Sequence, residues 1–244
     1  MTDAEMDVIV SMLPEVGFEA MVLRGGAVLA ILAVLASSIL AGCSGPPEGS
    51  AEWHFDRAYE MASKGRYHEA IEEYTKALEL NPNMARAYVN RAAAFAANGQ
   101  YDQTIIDCTK ALELNPELAL AYINRAYAYN GTGQYELAIA DCNRAIELDA
   151  TIAQAYINRA YAYNGTGQYD LAIADCNKAL ELAAEQGLSP SEVAQAYFHR
   201  GIAFKGRGNK AAALMDLNKF ISINSNAAWA EVARREIDEL KGSG

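Results

Sequence analysis

The chain has 244 residues and a formal net charge of −11, because 31 acidic side chains outnumber 20 basic ones. An acidic surface is repelled by phosphate backbones and by anionic lipid headgroups, so the charge argues against a nucleic-acid partner and against direct attachment to such a membrane surface. Hydrophobic residues make up 52% of the sequence. Much of that fraction is alanine, which suits a thin array of closely packed helices.

The first 43 residues differ in composition from the rest. Residues 1–20 hold five acidic residues and no basic one, the opposite of the positively charged start of a secretory signal. A single cation, Arg24, precedes an apolar or small-residue run over residues 27–41. That run is too short for a comfortable membrane span but fits the apolar region of a signal peptide. We therefore interpret residues 1–20 as a doubtful extension and Met21 as the start.

The apolar run ends in the letters LAGC, the last of which is Cys43. This ending resembles the lipobox of bacterial lipoproteins. The resemblance implies a signal peptide over residues 21–43, a diacylglycerol on the thiol of Cys43, and a lipid-anchored protein that faces the periplasm or the cell exterior. Ser44 favours, by the same resemblance, the outer membrane of a bacterium with two membranes. The alternative is an uncleaved signal anchor in which the cysteine is incidental. A polar linker with proline and glycine follows over residues 44–50.

Residues 51–227 repeat with a period of 34. Two stretches, Tyr122–Leu148 and Tyr156–Leu182, differ at only three of their 27 positions. A fixed period of this length indicates a solenoid, in which each unit packs on its neighbours. The five windows are 51–84, 85–118, 119–152, 153–186 and 194–227.

Each window is predicted to form a helix–turn–helix unit. Strong helix formers dominate both halves, and apolar residues return at three- and four-residue steps, as in Ala138, Cys142 and Ala145. When places are counted from the start of each window, the fifteenth place is always glycine, which can end the first helix in the left-handed conformation. These glycines are Gly65, Gly99, Gly133, Gly167 and Gly208.

Small, aromatic and proline residues also recur at fixed places of the windows. In the first window they are Ala58, Tyr67, Ala70, Tyr74, Ala77 and Pro82. This pattern resembles the tetratricopeptide repeat family. The resemblance implies an all-α solenoid of five repeats, whose first helices line a concave face that receives protein or peptide partners.

The ends of the repeat array carry their own signals. Seven extra residues, Gly187–Val193, separate the fourth and fifth windows, and they contain Ser189, Pro190 and Glu192 at the spacing of a capping box with proline at the first helical position. The first helix of the fifth unit is therefore expected to begin early. Residues 228–244 are expected to form a capping helix and tail that cover the last repeat. The apolar residues expected to do so are Trp229, Val232, Ile237 and Leu240.

Enzyme and metal chemistry have little support in the sequence. The three histidines, His54, His68 and His199, fall in different windows, and none has a second histidine at metal-ligand spacing. Three cysteines share the twenty-fourth place among apolar neighbours, and stacked repeats hold equivalent places too far apart for a disulfide. They are Cys108, Cys142 and Cys176. We therefore predict buried free thiols, no catalytic residue, no metal and no cofactor.

Arginine and acidic residues form a second regular pattern. The seventh place of each window is Arg57, Arg91, Arg125, Arg159 or Arg200. The twenty-third place is Glu73, Asp107, Asp141, Asp175 or Asp216. Since one place lies on each helix of a unit, the pattern predicts five structural ion pairs, in which the guanidinium binds the carboxylate with two parallel hydrogen bonds.

By the family resemblance, the second, fifth, sixth, ninth, twelfth and thirteenth places point into the groove. The sixth place carries a ladder of asparagines, whose amides can match the N–H and C=O groups of an extended peptide. The ninth place adds tyrosines, which are typical of binding surfaces. The predicted peptide-binding residues are Asn90, Asn124, Asn158, Tyr127, Tyr161, Ile123, Ile157, Asn130 and Asn164. The alternative is that the ladder asparagines are merely solvated helix residues.

The sequence thus predicts a non-catalytic, lipid-anchored scaffold outside the cytoplasmic membrane. It would bind protein or extended peptide in its concave groove and touch the membrane through the lipid on Cys43 alone. Two alternatives stay open. One is a structural assembly factor, resembling pilotins, that uses the convex face or residues 187–193. The other is a scaffold that regulates envelope hydrolases.

Overall fold

The computed structural model describes residues 45–186, 189–223 and 227–242. These ranges contain eleven α-helices and no strand, so the prediction of an all-α solenoid is confirmed. The chain divides into two units, Met1–Pro47 and Glu48–Gly244, and every described helix belongs to the second. The predicted signal peptide and its Cys43 lie outside the described residues.

Each repeat window contains a pair of helices. The first repeat has α1 (Ala51–Ser63) and α2 (Tyr67–Leu80), the second α3 (Ala85–Ala97) and α4 (Tyr101–Leu114), and the third α5 (Ala119–Gly131) and α6 (Tyr135–Leu148). The fourth has α7 (Ala153–Gly165) and α8 (Tyr169–Gln186), and the fifth α9 (Pro190–Gly206) and α10 (Lys210–Ile223). One further helix, α11 (Ala227–Gly242), follows.

The helices pack in the order of the chain. Each helix contacts the next one, and each first helix also contacts the first helix of the neighbouring repeat, as α5 does with α3 and α7. The first helices therefore lie side by side along one face, which we call the inner face. The second helices form the outer face.

Small residues make this close packing possible. The eighth place is fully buried alanine in the first four repeats, and the twentieth place is fully buried alanine or threonine in all five. A bulkier residue at these places would hold the paired helices apart, since ridge-into-groove packing brings helix axes to about 8–10 Å. These residues are Ala58, Ala92, Ala126 and Ala160, then Ala70, Thr104, Ala138, Ala172 and Ala213.

The five turn glycines adopt the conformation that the sequence predicts. All five have φ between 72° and 75°, a region that side chains with a Cβ rarely adopt. At Gly133 the backbone closes in a Schellman motif, because the N–H of Gln134 bonds the carbonyl of Tyr129 at 2.8 Å and the N–H of Gly133 bonds that of Asn130 at 3.1 Å. The same pair of bonds recurs in the other four repeats.

The seven extra residues before the fifth repeat lengthen two helices. Helix α8 has 18 residues and α9 has 17, whereas the corresponding helices of the other repeats have 14 and 13. Ser189 caps α9 with both bonds of a capping box to Glu192, and Pro190 takes the first helical position. The predicted early start of α9 is confirmed.

Helix α11 packs against α10 through one stripe of buried residues. The stripe is Ala230, Ala233, Ile237 and Leu240. Trp229 and Val232 were expected to share it, but both are more than a third exposed. The reason is geometric: residues three or four apart share a helix face, and these two precede the buried alanines by one position, about 100° around the helix.

The three cysteines and four of the five ion pairs match their predictions. The thiols are free and fully buried, and burial raises the pKa of Cys108 to about 12. Arg125 binds both carboxylate oxygens of Asp141 at 2.7 and 2.8 Å. The second, fourth and fifth repeats repeat this pair.

The first repeat departs from the ion-pair pattern. Arg57 Nε lies 3.9 Å from Glu73 Oε2, beyond hydrogen-bond range. The longer glutamate side chain instead places its carboxylate 2.6 Å from His54 Nδ1 and 2.8 Å from Lys76 Nζ. The predicted ion pair is therefore present in the first repeat, but without the two parallel hydrogen bonds of the other four.

Candidate functional site

Two glycines with different roles occur in each "NGTGQY" segment. The second is the turn glycine. The first allows a tyrosine of the preceding repeat to approach: a Cβ at Gly131 would lie 2.6 Å from Cε2 of Tyr101, and a Cβ at Gly165 would lie 2.5 Å from Cε2 of Tyr135. The tyrosine that begins each of these second helices is thus packed against the first helix of the next repeat.

These packed tyrosines support a row of partly exposed tyrosines on the inner face. Tyr127 meets Tyr101 edge to face at a centroid distance of 6.0 Å, and Tyr161 meets Tyr135 at 6.2 Å. Tyr127 is 45% exposed and Tyr161 is 36% exposed. Partial burial raises the pKa of both tyrosines, so they stay neutral hydrogen-bonding groups at ordinary pH.

The asparagines of the predicted ladder bond to the protein itself. The side-chain amide of Asn124 donates to the carbonyl of Val89 at 3.4 Å, and that of Asn158 donates to the carbonyl of Ile123 at 3.2 Å. Each bond joins a first helix to the first helix of the preceding repeat. Asn158 is buried, which excludes the alternative of a merely solvated side chain at that rung.

The ladder still has hydrogen-bonding capacity, although less than a free row of amides. An amide NH₂ group has two donors, and the bonds to Val89 and Ile123 use one each. The oxygen of Asn158 accepts from Gln154 Nε2 at 2.9 Å. Burial raises the pKa of Tyr74 to about 12, and a hydrogen bond with Asn90 opposes part of that rise.

Asn130 and Asn164, at the twelfth place, make the reverse connection to the next repeat. The amide of Asn130 donates to the carbonyl of Asn158 at 2.8 Å, and that of Asn164 donates to the carbonyl of His199 at 2.8 Å. The Oδ1 atoms of Asn130 and Asn164 are buried without a hydrogen-bond partner among the described residues.

Ile123 and Ile157 lie elsewhere than predicted. They were expected on the groove surface, but they are 4% and 1% exposed. Ile123 packs with Ala145 and Ala155 between neighbouring repeats. These two side chains therefore pack beneath the inner face, between the repeats, and offer a partner no apolar surface.

A cavity of about 360 Å³ opens on the inner face towards the C-terminal end of the array. Its aromatic lining is Tyr101, Tyr127, Tyr161, Phe198, Phe220 and Trp229. Its polar lining is Asn130, Asn158, Ser191, Gln195 and His199. Burial lowers the pKa of His199 to about 4, so the imidazole is neutral at ordinary pH. Every described residue that lines the cavity is then uncharged.

The sequence predicts four of the thirteen residues that line this cavity as peptide-binding: Tyr127, Asn130, Asn158 and Tyr161. Trp229 was expected to cover the last repeat, and its ring does meet Phe198 of that repeat edge to face at 5.5 Å, but it also lines the cavity, which was not predicted. His199 holds the sixth place of the fifth window, where the second, third and fourth windows have asparagine, and its ring packs on Tyr161 at 5.1 Å. The sequence did contain a signal for the cavity. The fifth window, which follows the insertion, has aromatic residues at both its fourth and its fifth place, Tyr197 and Phe198.

In the part of the chain that the structure describes, no group of three or more His, Cys, Asp or Glu side chains is arranged to hold a metal ion. None of the described helices combines the length and apolar character needed to cross a membrane.

Sequence models of known families match most of the array. A TPR repeat model matches residues 58–99, and tetratricopeptide repeat models match residues 85–118, 119–151 and 151–224. Together these matches extend from residue 58 to residue 224, more than half of the chain. The chain belongs to the tetratricopeptide repeat family. No curated protein sequence matches it significantly.

Solved structures agree on the fold of this tetratricopeptide repeat protein. It is similar to YrrB, described as a TPR protein with an unusual peptide-binding site, with 22% identity and a TM-score of 0.56 over 78% of this chain and 94% of YrrB. It is also similar to MamA from Desulfovibrio magneticus RS-1, with 19% identity and a TM-score of 0.60 over 74% and 97% of the two chains. At these identities the likeness shows the fold alone.

Proposed function

We propose that this tetratricopeptide repeat protein is a non-catalytic scaffold that binds a protein partner through an extended peptide segment on its inner face. The observation that carries the proposal is the row formed by Tyr127 and Tyr161, which are partly exposed and held by ring contacts from the preceding repeats. Aromatic residues held in place beside amides are the composition of binding surfaces, because they give contact area at little entropic cost.

The geometry of the inner face suits an extended peptide segment. The first helices lie side by side, so the same places recur from repeat to repeat along one direction. The partly buried amide of Asn124 uses one N–H in its bond to Val89, and the second N–H of such an amide can bond a peptide carbonyl. YrrB, a relative in fold, is described as having a peptide-binding site, which supports the same use of the fold here.

We further propose that the scaffold is lipid-anchored through Cys43 and faces the periplasm or the cell exterior. The support is the LAGC ending of an apolar run of signal-peptide length. The expected result for Cys43→Ala is loss of metabolic labelling by palmitate and release from the membrane fraction. Unmodified residues 21–43 in mature protein purified from its own host would contradict the anchor, whatever the groove binds.

Two exposed leucines in the third repeat test where the partner binds. Leu120 lies on the first helix and is 59% exposed, and Leu137 lies on the second helix and is 48% exposed. A photoreactive amino acid at position 120 is expected to capture the partner in cells, and the same amino acid at position 137 is not. Capture at position 137 alone would instead favour an assembly factor that works through the outer face.

A further inference from the structure

The cavity at the C-terminal end of the inner face is a distinct subsite, and its composition restricts what can enter it. All described lining residues are uncharged once His199 is neutral, in a chain whose net charge is −11. A charged side chain that entered would lose its water and find no opposite charge, which is costly. The lining therefore favours an uncharged occupant over an anion, and a cation held by the aromatic faces is the competing outcome that the experiment below tests.

The size and walls of the cavity favour one aromatic ring. Its volume of about 360 Å³ lies at the small end of the range for ligand sites. Tyr161, Phe198 and Trp229 line it with rings that already meet one another or His199 edge to face. A further ring can join such a set in the same geometry, which adds to the gain from burying its apolar area.

Asn130 adds a requirement for a hydrogen-bond donor. The side chain is 6% exposed and lines the cavity, its NH₂ group is bonded to the carbonyl of Asn158, and its Oδ1 has no partner among the described residues. A buried acceptor without a donor is unfavourable. An occupant that brings an N–H group to this oxygen removes that cost.

From these observations we propose that the cavity is a specificity subsite for a tryptophan side chain of an extended peptide, with the indole ring among Tyr161, Phe198 and Trp229 and the indole N–H donated to Asn130 Oδ1. Tryptophan is the amino acid that unites a large uncharged ring with an N–H that donates and never accepts. The inference rests on the proposed function, because it names the residue by which the groove recognises its peptide.

The probes are five fluorescently labelled pentapeptides with the sequence Gly-Gly-X-Gly-Gly, in which X is tryptophan, 1-methyltryptophan, phenylalanine, lysine or trimethyllysine. Fluorescence anisotropy with the full-length purified protein measures each affinity. The tryptophan peptide is expected to bind about tenfold more tightly than the 1-methyltryptophan peptide, which keeps the ring but lacks the N–H. The phenylalanine peptide should be weakened similarly, and the two cationic peptides more.

Asn164 supplies a matched control for Asn130. Both residues donate to a carbonyl of the next repeat and both have an unpartnered Oδ1, but Asn130 lines the cavity and Asn164 does not. Asn130→Leu should abolish the preference for tryptophan over 1-methyltryptophan, and Asn164→Leu should preserve it. Tyr161→Leu should weaken all ring-bearing peptides about fivefold or more, whereas Tyr59→Leu, at the same place of the first repeat, should not.

The outcomes separate the subsite from the groove. If a crosslinked partner peptide binds but tryptophan and 1-methyltryptophan peptides bind equally, or Asn164→Leu acts like Asn130→Leu, the subsite is wrong and the proposed function stands. Preference for trimethyllysine would show a cation site and also overturn the inference. If free indole bound as tightly as the tryptophan peptide, the ligand of the cavity would be a small molecule and not a peptide side chain, and the inference would be overturned. Failure of every peptide, including one from the crosslinked partner, would overturn the proposed function itself.

Discussion

Gly165→Ala is expected to destabilise the protein, although alanine forms helices better than glycine. The added methyl group would lie 2.5 Å from Cε2 and 2.6 Å from Cζ of Tyr135, whereas carbon atoms pack best at about 3.5–4.0 Å. The ring of Tyr135 packs on Tyr161, so it cannot withdraw without losing that contact. Overpacking costs about 1–3 kcal/mol and the helix propensity of alanine offsets about 0.5–1 kcal/mol, which leaves a loss of up to about 2.5 kcal/mol.

The test is a comparison of two backgrounds by urea unfolding, followed by far-UV circular dichroism. With Tyr135 present, Gly165→Ala should lower the free energy of unfolding. With Tyr135→Ala, the methyl group meets no ring, and the same change should raise the free energy of unfolding by up to about 1 kcal/mol. Gly131→Ala, opposite Tyr101, should behave in the same way. Stabilisation by Gly165→Ala in both backgrounds would refute the packing role of the glycine.

Three further predictions concern buried groups. Arg125→Ala should cost about 1–3 kcal/mol of stability by thermal unfolding, between the values for exposed and buried pairs, because Arg125 and Asp141 are 17% and 10% exposed; a loss under a few tenths would contradict a structural pair. A histidine protonates near pH 6.5 in the unfolded chain, but His199 in the folded protein protonates only near pH 4. The unfolded state therefore binds more protons between these values, and the free energy of unfolding should fall by about 3 kcal/mol as pH drops from 6.5 to 4. His199→Gln should lose this part of the acid sensitivity, and a variant with the same pH profile as the wild type would refute the prediction. In a Cys43→Ser variant, the three buried thiols should resist Ellman's reagent in native buffer and all react in urea. Rapid reaction of these thiols in native buffer would contradict their burial and show that the helices of the array separate readily.

The repetition explains why so much of the fold could be predicted. A glycine at one turn is weak evidence, but glycine at the same place of five windows can be tested against a single mechanism, the left-handed helix end. The same holds for the small residues at the eighth and twentieth places and for Arg125 with Asp141. Each of these features lies within one unit and recurs in the other units. The register of the windows alone therefore determines which residues meet.

Contacts between units were harder to predict, because they depend on how far one helix is displaced along the next. The amide of Asn158 could face solvent or the carbonyl of Ile123, and only the helix offset decides between them. Arg125 likewise bonds Thr109 of the preceding repeat at 3.0 Å as well as Asp141. The cavity at the last repeat is harder still, because it is formed where the repetition ends and Trp229 has no counterpart in the windows.

The near-identity of the third and fourth repeats now has a physical account. Tyr135 with Gly165, Asn130 with the carbonyl of Asn158, and the amide of Asn158 with the carbonyl of Ile123 all join the third repeat to the fourth. A unit whose leading and trailing faces fit each other can be copied without a new interface, and any change on one face would have to be matched on the other. Packing therefore accounts for the buried part of the repeated segment. Tyr127 and Tyr161 stay 45% and 36% exposed on the inner face. Packing does not account for that exposed part of the two side chains, and this is where binding has to be sought.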